Sequence, residues 1–202
     1  HYQRLRDTSV GLVVALYLVP PWLTWNGRQA ILFDLPERRF HIFGVTFWPQ
    51  DFLFLAWALI IAALGLFFVT VFAGRVYCGY VCPQTAWTRL FMAIEQRCEG
   101  DRHQRLKWDR APWGAEKLLR RGLKHVLWLA LALATGVTFV GYFTPIRELL
   151  PALVSGEVGG WTLFWSGFFT VATYGNAGFM REQVCLYMCP YARFQSVMFD
   201  RD

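Results

Sequence analysis

The sequence predicts an all-α membrane protein with four transmembrane helices, arranged as two repeated hairpins, each followed by an interfacial amphipathic helix. Three observations predict this. The 202 residues are 55% hydrophobic and 17% charged, with ten Trp and eighteen Phe, whereas a soluble domain of this size carries nearer ~25% charged residues. Long apolar stretches alternate with short polar ones. Finally, the pattern Cys-x-x-x-Cys-Pro occurs twice, starting at Cys78 and at Cys185, in a chain with only five cysteines. Residues 1–202 read as one polytopic domain. The chain opens on His1 without an initiating Met and shows no signal peptide, which suggests a piece of a longer protein.

Four segments qualify as spans of a ~30 Å hydrocarbon core. Residues 9–25 form the shortest, with Pro20 and Pro21 near its end to bend or stop a helix. Residues 52–74, 123–143 and roughly 158–177 follow, the third with Lys124 and His125 at its border. Of twenty Lys and Arg, sixteen fall before the first span, between the second and third, or after the fourth; only Arg28, Arg38, Arg39 and Arg147 lie in the other two connections. The positive-inside rule then places both termini and the middle connection in the cytoplasm. The net charge of +6 suits a membrane surface better than nucleic acid, because the basic residues sit in gaps between apolar runs.

In this topology Cys78 and Cys82 leave the second span on the same side as Cys185 and Cys189 leave the fourth. The repeat extends past the cysteines, matching Tyr80 with Tyr187, Val81 with Met188 and Trp87 with Phe194. Two parallel hairpins imply a pseudo-two-fold axis along the membrane normal. Cysteines at i and i+4 share a helix face and can hold one metal ion or two corners of a cluster. Pro83 and Pro190 suit the first turn of a new helix, whose dipole, with Arg89 and Arg193, would favour thiolate at Cys82 and Cys189. Cytoplasmic thiols stay reduced, and adjacent turns of one helix are poor disulfide geometry. Met92, Met180, Met188 and Met198 add soft sulfur that suits Cu(I), although filling gaps is the commoner use of Met.

The new helix after each proline reads as interfacial. Trp87, Leu90, Phe91, Ile94 and Cys98 form an apolar stripe opposite Arg89, Glu95 and Arg97; Tyr191, Phe194, Val197 and Met198 begin a second. On that stripe Cys98 is a packed small residue rather than a fifth ligand. Residues 30–51 alternate apolar and polar residues around Leu35-Pro36-Glu37, as in a small hairpin or interfacial patch. Trp22, Trp25 and Trp48 suit an aromatic belt. Residues 99–121 are basic and read as a segment on anionic headgroups or as a solvated linker. The absence of acidic or basic residues within the spans argues against a proton or ion pathway. His125, at a span border, caps or lines the interface, and the scattered histidines do not support membrane haem. No phosphate loop, nucleophile elbow or zincin motif is present.

The stretches RVYCGYVCPQTAW, FDLPERRFHIFGVTFWPQD and QVCLYMCPYARFQSVMFD together resemble the membrane domain of the cytochrome c oxidase accessory proteins of the FixG, RdxA and CcoG type. The likeness covers essentially the whole chain. It implies a bacterial inner-membrane iron-sulfur protein that reduces Cu(II) to Cu(I) on the cytoplasmic side for assembly of a cbb3-type oxidase. Its implied partners are oxidase assembly factors or copper chaperones, with a homodimer open and no nucleic acid. By the same likeness a ferredoxin-like domain with two four-iron four-sulfur clusters, then a further span and an immunoglobulin-like domain, would follow the present C-terminus. Cys78, Cys82, Cys185 and Cys189 match the family's membrane-domain pairs and inherit a copper or redox role. Each half-motif supplies two of the four cysteines a complete cluster needs, so the pairs either bind copper directly or form one shared site. Two alternatives remain at this stage: a quinol-oxidising anchor of the nitrate and nitrous-oxide respiration type, and a non-redox assembly scaffold.

Overall fold

The structure is a computed structural model that describes residues 2–25, 27–73, 76–110 and 114–193. It is mostly helical. Among the described residues eight α-helices run in chain order: α1 (Tyr2–Leu18), α2 (Phe52–Ala73), α3 (Val76–Tyr80), α4 (Pro83–Glu99), α5 (Arg102–Arg110), α6 (Ala115–Gly141), α7 (Ile146–Ser155) and α8 (Gly160–Thr173). Five short strands lie between α1 and α2: β1 (Thr24–Trp25), β2 (Arg28–Gln29), β3 (Ile31–Asp34), β4 (Arg39–Ile42) and β5 (Val45–Phe47).

Two segments, Pro49–Phe72 and Ala115–Gly141, are long and apolar enough to cross a membrane. The other two expected spans differ from their sequence reading. α1 stops at Leu18 rather than running to residue 25: Pro20 and Pro21 turn the chain into a single 3-10 turn, Pro20–Trp22, after which Thr24 and Trp25 are already a strand. α8 has 14 residues and continues as a π-helical segment, Tyr174–Met180.

The core lies where α1, α4, α6 and this π segment meet. Val10, Ala86, Trp87, Phe91, Trp128 and Ala132 are buried together there. Each indole N–H in the cluster has a partner, as a buried donor requires: Trp87 Nε1 donates to Thr135 Oγ1 at 2.9 Å and Trp128 Nε1 to the Phe91 carbonyl at 3.0 Å. Tyr17 reaches the carbonyl of the same Thr135 at 3.0 Å. α2 is the opposite case. Phe54, Leu59, Leu64 and Phe72 are all exposed, and Thr70, near its end, is buried.

The expectation that the helix after Pro83 lies flat on headgroups is corrected. α4 runs antiparallel beside α6, with Trp87 opposite Thr135, Phe91 opposite Trp128 and Glu95 opposite Lys124. Glu95 was assigned to the polar face, but residues 87, 91, 95 and 98 follow a spacing of four, four and three and so share one face. That face is buried, Glu95 included. Its carboxylate is neutralised from three elements: Arg105 of α5 at 3.1 Å, Lys124 of α6 at 3.9 Å and Arg181 beyond the π segment at 2.8 Å. Of the basic segment 99–121, the described residues form α5 and the start of α6, and Arg105 returns a cation to the buried Glu95. The second such helix begins at Pro190; Phe194, Val197 and Met198 lie outside the described residues.

At the far end of α6, the expected hairpin is an antiparallel three-stranded sheet in the order β3-β4-β5. Asp34 pairs with Arg39 across the Leu35–Arg38 turn, where Arg38 donates to the Leu35 carbonyl at 3.2 Å. The sheet docks through Phe33 N–H on the Tyr142 carbonyl at 2.8 Å, and Gln29 Nε2 bonds the Gly141 carbonyl at 2.6 Å. α7 was not anticipated. Ile146, Leu149, Leu150 and Leu153 give it one apolar face, which packs on Val137 and Val140.

The α6–α8 contact depends on Gly136, where an added Cβ would stand 2.8 Å from the Ser166 carbonyl oxygen and 2.9 Å from the Thr170 nitrogen. Because the obstructing atoms are backbone, Gly136→Ala must push the helices apart. A loss of ~1–3 kcal/mol is expected, read as an earlier midpoint in thermal or denaturant unfolding in detergent. Gly167→Ala, inside α8 and meeting nothing within 4 Å, is expected to hold the midpoint or raise it slightly, since Ala is the better helix former.

Candidate metal centre

Proline sets the local geometry of both cysteine pairs. A residue preceding proline is pushed out of the α region, and both second cysteines are extended: Cys82 at φ −62°, ψ 124° and Cys189 at φ −85°, ψ 110°. In each motif the N–H of this cysteine reaches back five residues, Cys82 to the Tyr77 carbonyl and Cys189 to the Val184 carbonyl, both at 3.0 Å. Such wide turns recur at functional sites. The duplication read in the sequence is thus a duplication of backbone conformation.

The two motifs also hold each other. Gln84 and Tyr191 occupy the same position in the repeat, immediately after the proline. Gln84 Nε2 donates to the Asn176 carbonyl at 3.2 Å and the Arg181 carbonyl at 3.4 Å, on the segment leading to the second pair. Tyr191 hydroxyl bonds Thr70, on the last turn of the helix leading to the first pair, and its ring meets Tyr77 edge-on at 5.9 Å. Each new helix therefore leans on the segment that leads to the other cysteine pair. Within the first motif, Thr85 Oγ1 ties α4 to α3 through the Cys78 carbonyl at 2.7 Å.

This interlock brings the two cysteine turns beside each other. Burial is the main cause that raises the Cys185 thiol above its ordinary range, followed by the charges of Cys82, Cys189 and Glu182. Tyr77 is raised first by burial, then by Cys82, Cys78, Tyr191 and Cys189. Cys82 of the first pair is thus felt by Cys185 of the second, and Tyr77 lies within the field of three of the four. Arg89, expected beside the thiols, instead pairs with Asp7 at 2.7 Å.

As a donor set, four cysteines match the number an iron-sulfur cluster needs, and the number is reached only by pooling both pairs. All four are partly buried. Among the described residues no three Cys, His, Asp or Glu side chains are drawn together tightly enough to hold one ion. The set fits such a group in the kind and number of its donors. Cys98 is buried in α4, apart from this set. His125 lines the bundle, its Nδ1 2.9 Å from Tyr174 hydroxyl and its ring stacked on Phe179.

The sequence reading does not single out Gln84, Tyr77 or Thr70, and it places Tyr191 only on an apolar stripe. Equivalent positions of the repeat hold chemically different residues there, so no shared letter marks them.

The family described as "4Fe-4S binding domain" matches residues 55–97, and that described as "4Fe-4S dicluster domain" matches residues 180–202, one cysteine pair in each. Nitrogen fixation protein FixG of Rhizobium meliloti is 39% identical over all of this chain. Protein RdxA of Cereibacter sphaeroides is 44% identical over 94% of it, and Protein RdxB of the same organism 42% over 100%. The chain belongs to the FixG/RdxA type. It spans 39%, 41% and 43% of the lengths of these three relatives. No solved structure matches.

The FixG/RdxA-type interlock can be tested in a variant retaining only Cys82 and Cys185 as thiols. A short bis-maleimide is expected to join them within one chain. Gln84→Ala together with Tyr191→Phe removes about 1 kcal/mol per lost bond and is expected to lower the intramolecular yield several-fold. An unchanged yield would show that the reciprocal bonds do not position the pairs.

Proposed function

We propose that this chain is the membrane-embedded part of an iron-sulfur redox protein that reduces Cu(II) to Cu(I) for assembly of a cbb3-type cytochrome c oxidase. It would sit in a bacterial inner membrane with four spans and both termini cytoplasmic, and deliver copper to assembly factors or chaperones. The observation that carries this reading is the reciprocal contact of the two Cys-x-x-x-Cys-Pro turns, which brings soft donors from both halves to one place. Matches to iron-sulfur families and to FixG and RdxA support the redox part; copper rests on the chemistry of the donors.

In this reading copper is the substrate, and Cys78, Cys82, Cys185 and Cys189 receive it. With the four cysteines taken up by copper, a four-iron four-sulfur cluster held elsewhere in the longer protein would supply the electrons, one for each Cu(II) converted to Cu(I). The chain's own residues do the rest. Thiolates bind the reduced ion more strongly than harder donors do, so they favour the product state. Burial of Cys185 and repulsion among the thiolates make the metal-free site costly to ionise, and a cation relieves that repulsion. Gln84, Tyr191 and Thr70 hold the two turns in register.

The test uses the full-length protein, purified anaerobically and titrated with Cu(II) while thiolate-to-Cu(I) absorption is followed. The unaltered protein is expected to develop the band. Cys78→Ser with Cys82→Ser, or Cys185→Ser with Cys189→Ser, is expected to reduce it to background. Half the signal remaining in each variant would mean two separate sites and would overturn the shared one.

A further inference from the structure

We propose that the cleft between α6 and the π segment binds a phosphate group, supplied by the headgroup of an anionic phospholipid. The lipid source rests on the membrane reading above; the phosphate chemistry rests on the cleft itself.

The cleft is bordered by Glu95, Arg121, Lys124, His125, Trp128 and Arg181. Three of these carry fixed positive charge and one is a carboxylate. Leaving Arg121 aside, and including the neighbours bound to the others, Arg105 on Glu95 and Glu99 on Lys124 at 2.7 Å, the three cations Arg105, Lys124 and Arg181 face the two carboxylates. The knot therefore keeps a positive excess after its internal pairing, at a place where side chains are substantially buried. Lys124 and Glu95 are 12% and 11% exposed, so an anion there is screened less than at an open surface.

The cations are also held in place before any ligand arrives. Lys124 Nζ lies 5.2 Å from the centroid of the Trp128 ring and the Arg181 guanidinium 5.7 Å from it, and Trp128 is itself fixed by its bond to Phe91. Arg181 spends Nε on the Gly178 carbonyl at 2.9 Å and Nη2 on Glu95 at 2.8 Å, which leaves further N–H donors on a residue lining the cleft. Gly178 permits the close packing: a Cβ there would stand 3.2 Å from the Trp128 ring.

Position selects the ligand. Lys124 and His125 are the last polar residues of α6 before a continuous apolar run from Val126 to Ala134, with Val126 and Leu129 exposed. A cation cluster at the border of an apolar helix lies at headgroup level and meets phosphate with acyl chains alongside. The apolar residues next to it would take those chains.

Native mass spectrometry of the detergent-solubilised chain, titrated with phosphatidylglycerol or phosphatidylcholine, reads the proposal directly. Phosphatidylglycerol adducts are expected in excess, to fall several-fold in Lys124→Gln and Arg121→Gln, to return in Lys124→Arg, and to persist in Arg102→Gln, the same charge change on exposed α5. Competition by inorganic phosphate would show that the phosphate group alone suffices; its failure to compete would show that the lipid's chains are needed. Equal adducts of both lipids, or no difference between Lys124→Gln and Arg102→Gln, would overturn the site. Association of all variants with phosphatidylcholine vesicles is scored separately: its loss from the unaltered chain would count against the membrane reading, and its retention without anionic preference against this cleft only.

Discussion

A proline placed directly after a cysteine is the constraint on which this structure turns. It removes an N–H and keeps the cysteine out of the α region, so the chain must leave one helix, pass an extended Cys, and begin another. Cys82 and Cys189 obey it in nearly the same way, each closing a five-residue turn on a carbonyl. The new helix direction then brings Gln84 across to Asn176 and Tyr191 across to Thr70. Without the break, a straight continuation of α2 would carry Gln84 away from Asn176. The two thiol pairs would have no reason to meet.

Arg181 connects this interlock to the ion-pair knot. Its backbone, at φ 42°, lies in a region side chains rarely occupy, at a cost of order 1–3 kcal/mol. Partners on several sides hold it there. Its N–H bonds Asn176, its carbonyl accepts from Gln84, and its guanidinium pairs with Glu95. Glu95 in turn joins α4 to α5 and α6. A buried carboxylate contributes little net stability after its desolvation cost, but it strongly penalises any arrangement lacking its cations, and so fixes how the helices register around the cysteines.

How much of this was legible varies with the kind of signal. The cysteine duplication, the sheet around Leu35–Arg38 and the apolar segments α2 and α6 stand out because composition or spacing marks them locally. α7 carried an i, i+3, i+4, i+7 pattern at residues 146, 149, 150 and 153, hidden by a Pro151 that the helix tolerates. Glu95 was misplaced because a charged letter reads as a polar face, while its partners lie 10, 29 and 86 residues downstream. The ends of α1 followed the double proline rather than hydropathy. The reciprocal bonds were not readable, since a pseudo-symmetric contact joins equivalent places through unlike residues.

In the proposed site, closing the cysteine pairs and docking the two turns are one event in energetic terms. Burial, and then the neighbouring Cys82, Cys189 and Glu182, raise the cost of ionising Cys185, and the hydrogen bonds at Gln84 and Tyr191 hold the turns together. A soft cation bound there would reverse the sign of that electrostatic contribution, because each added thiolate would then stabilise the ion instead of repelling its neighbours. Binding energy gained at the sulfurs would thereby be transmitted to the contact between the turns, and anything that loosens that contact would weaken the site. The reciprocal geometry makes the coupling symmetric: neither pair can be disturbed without the helix that follows it losing its support on the other.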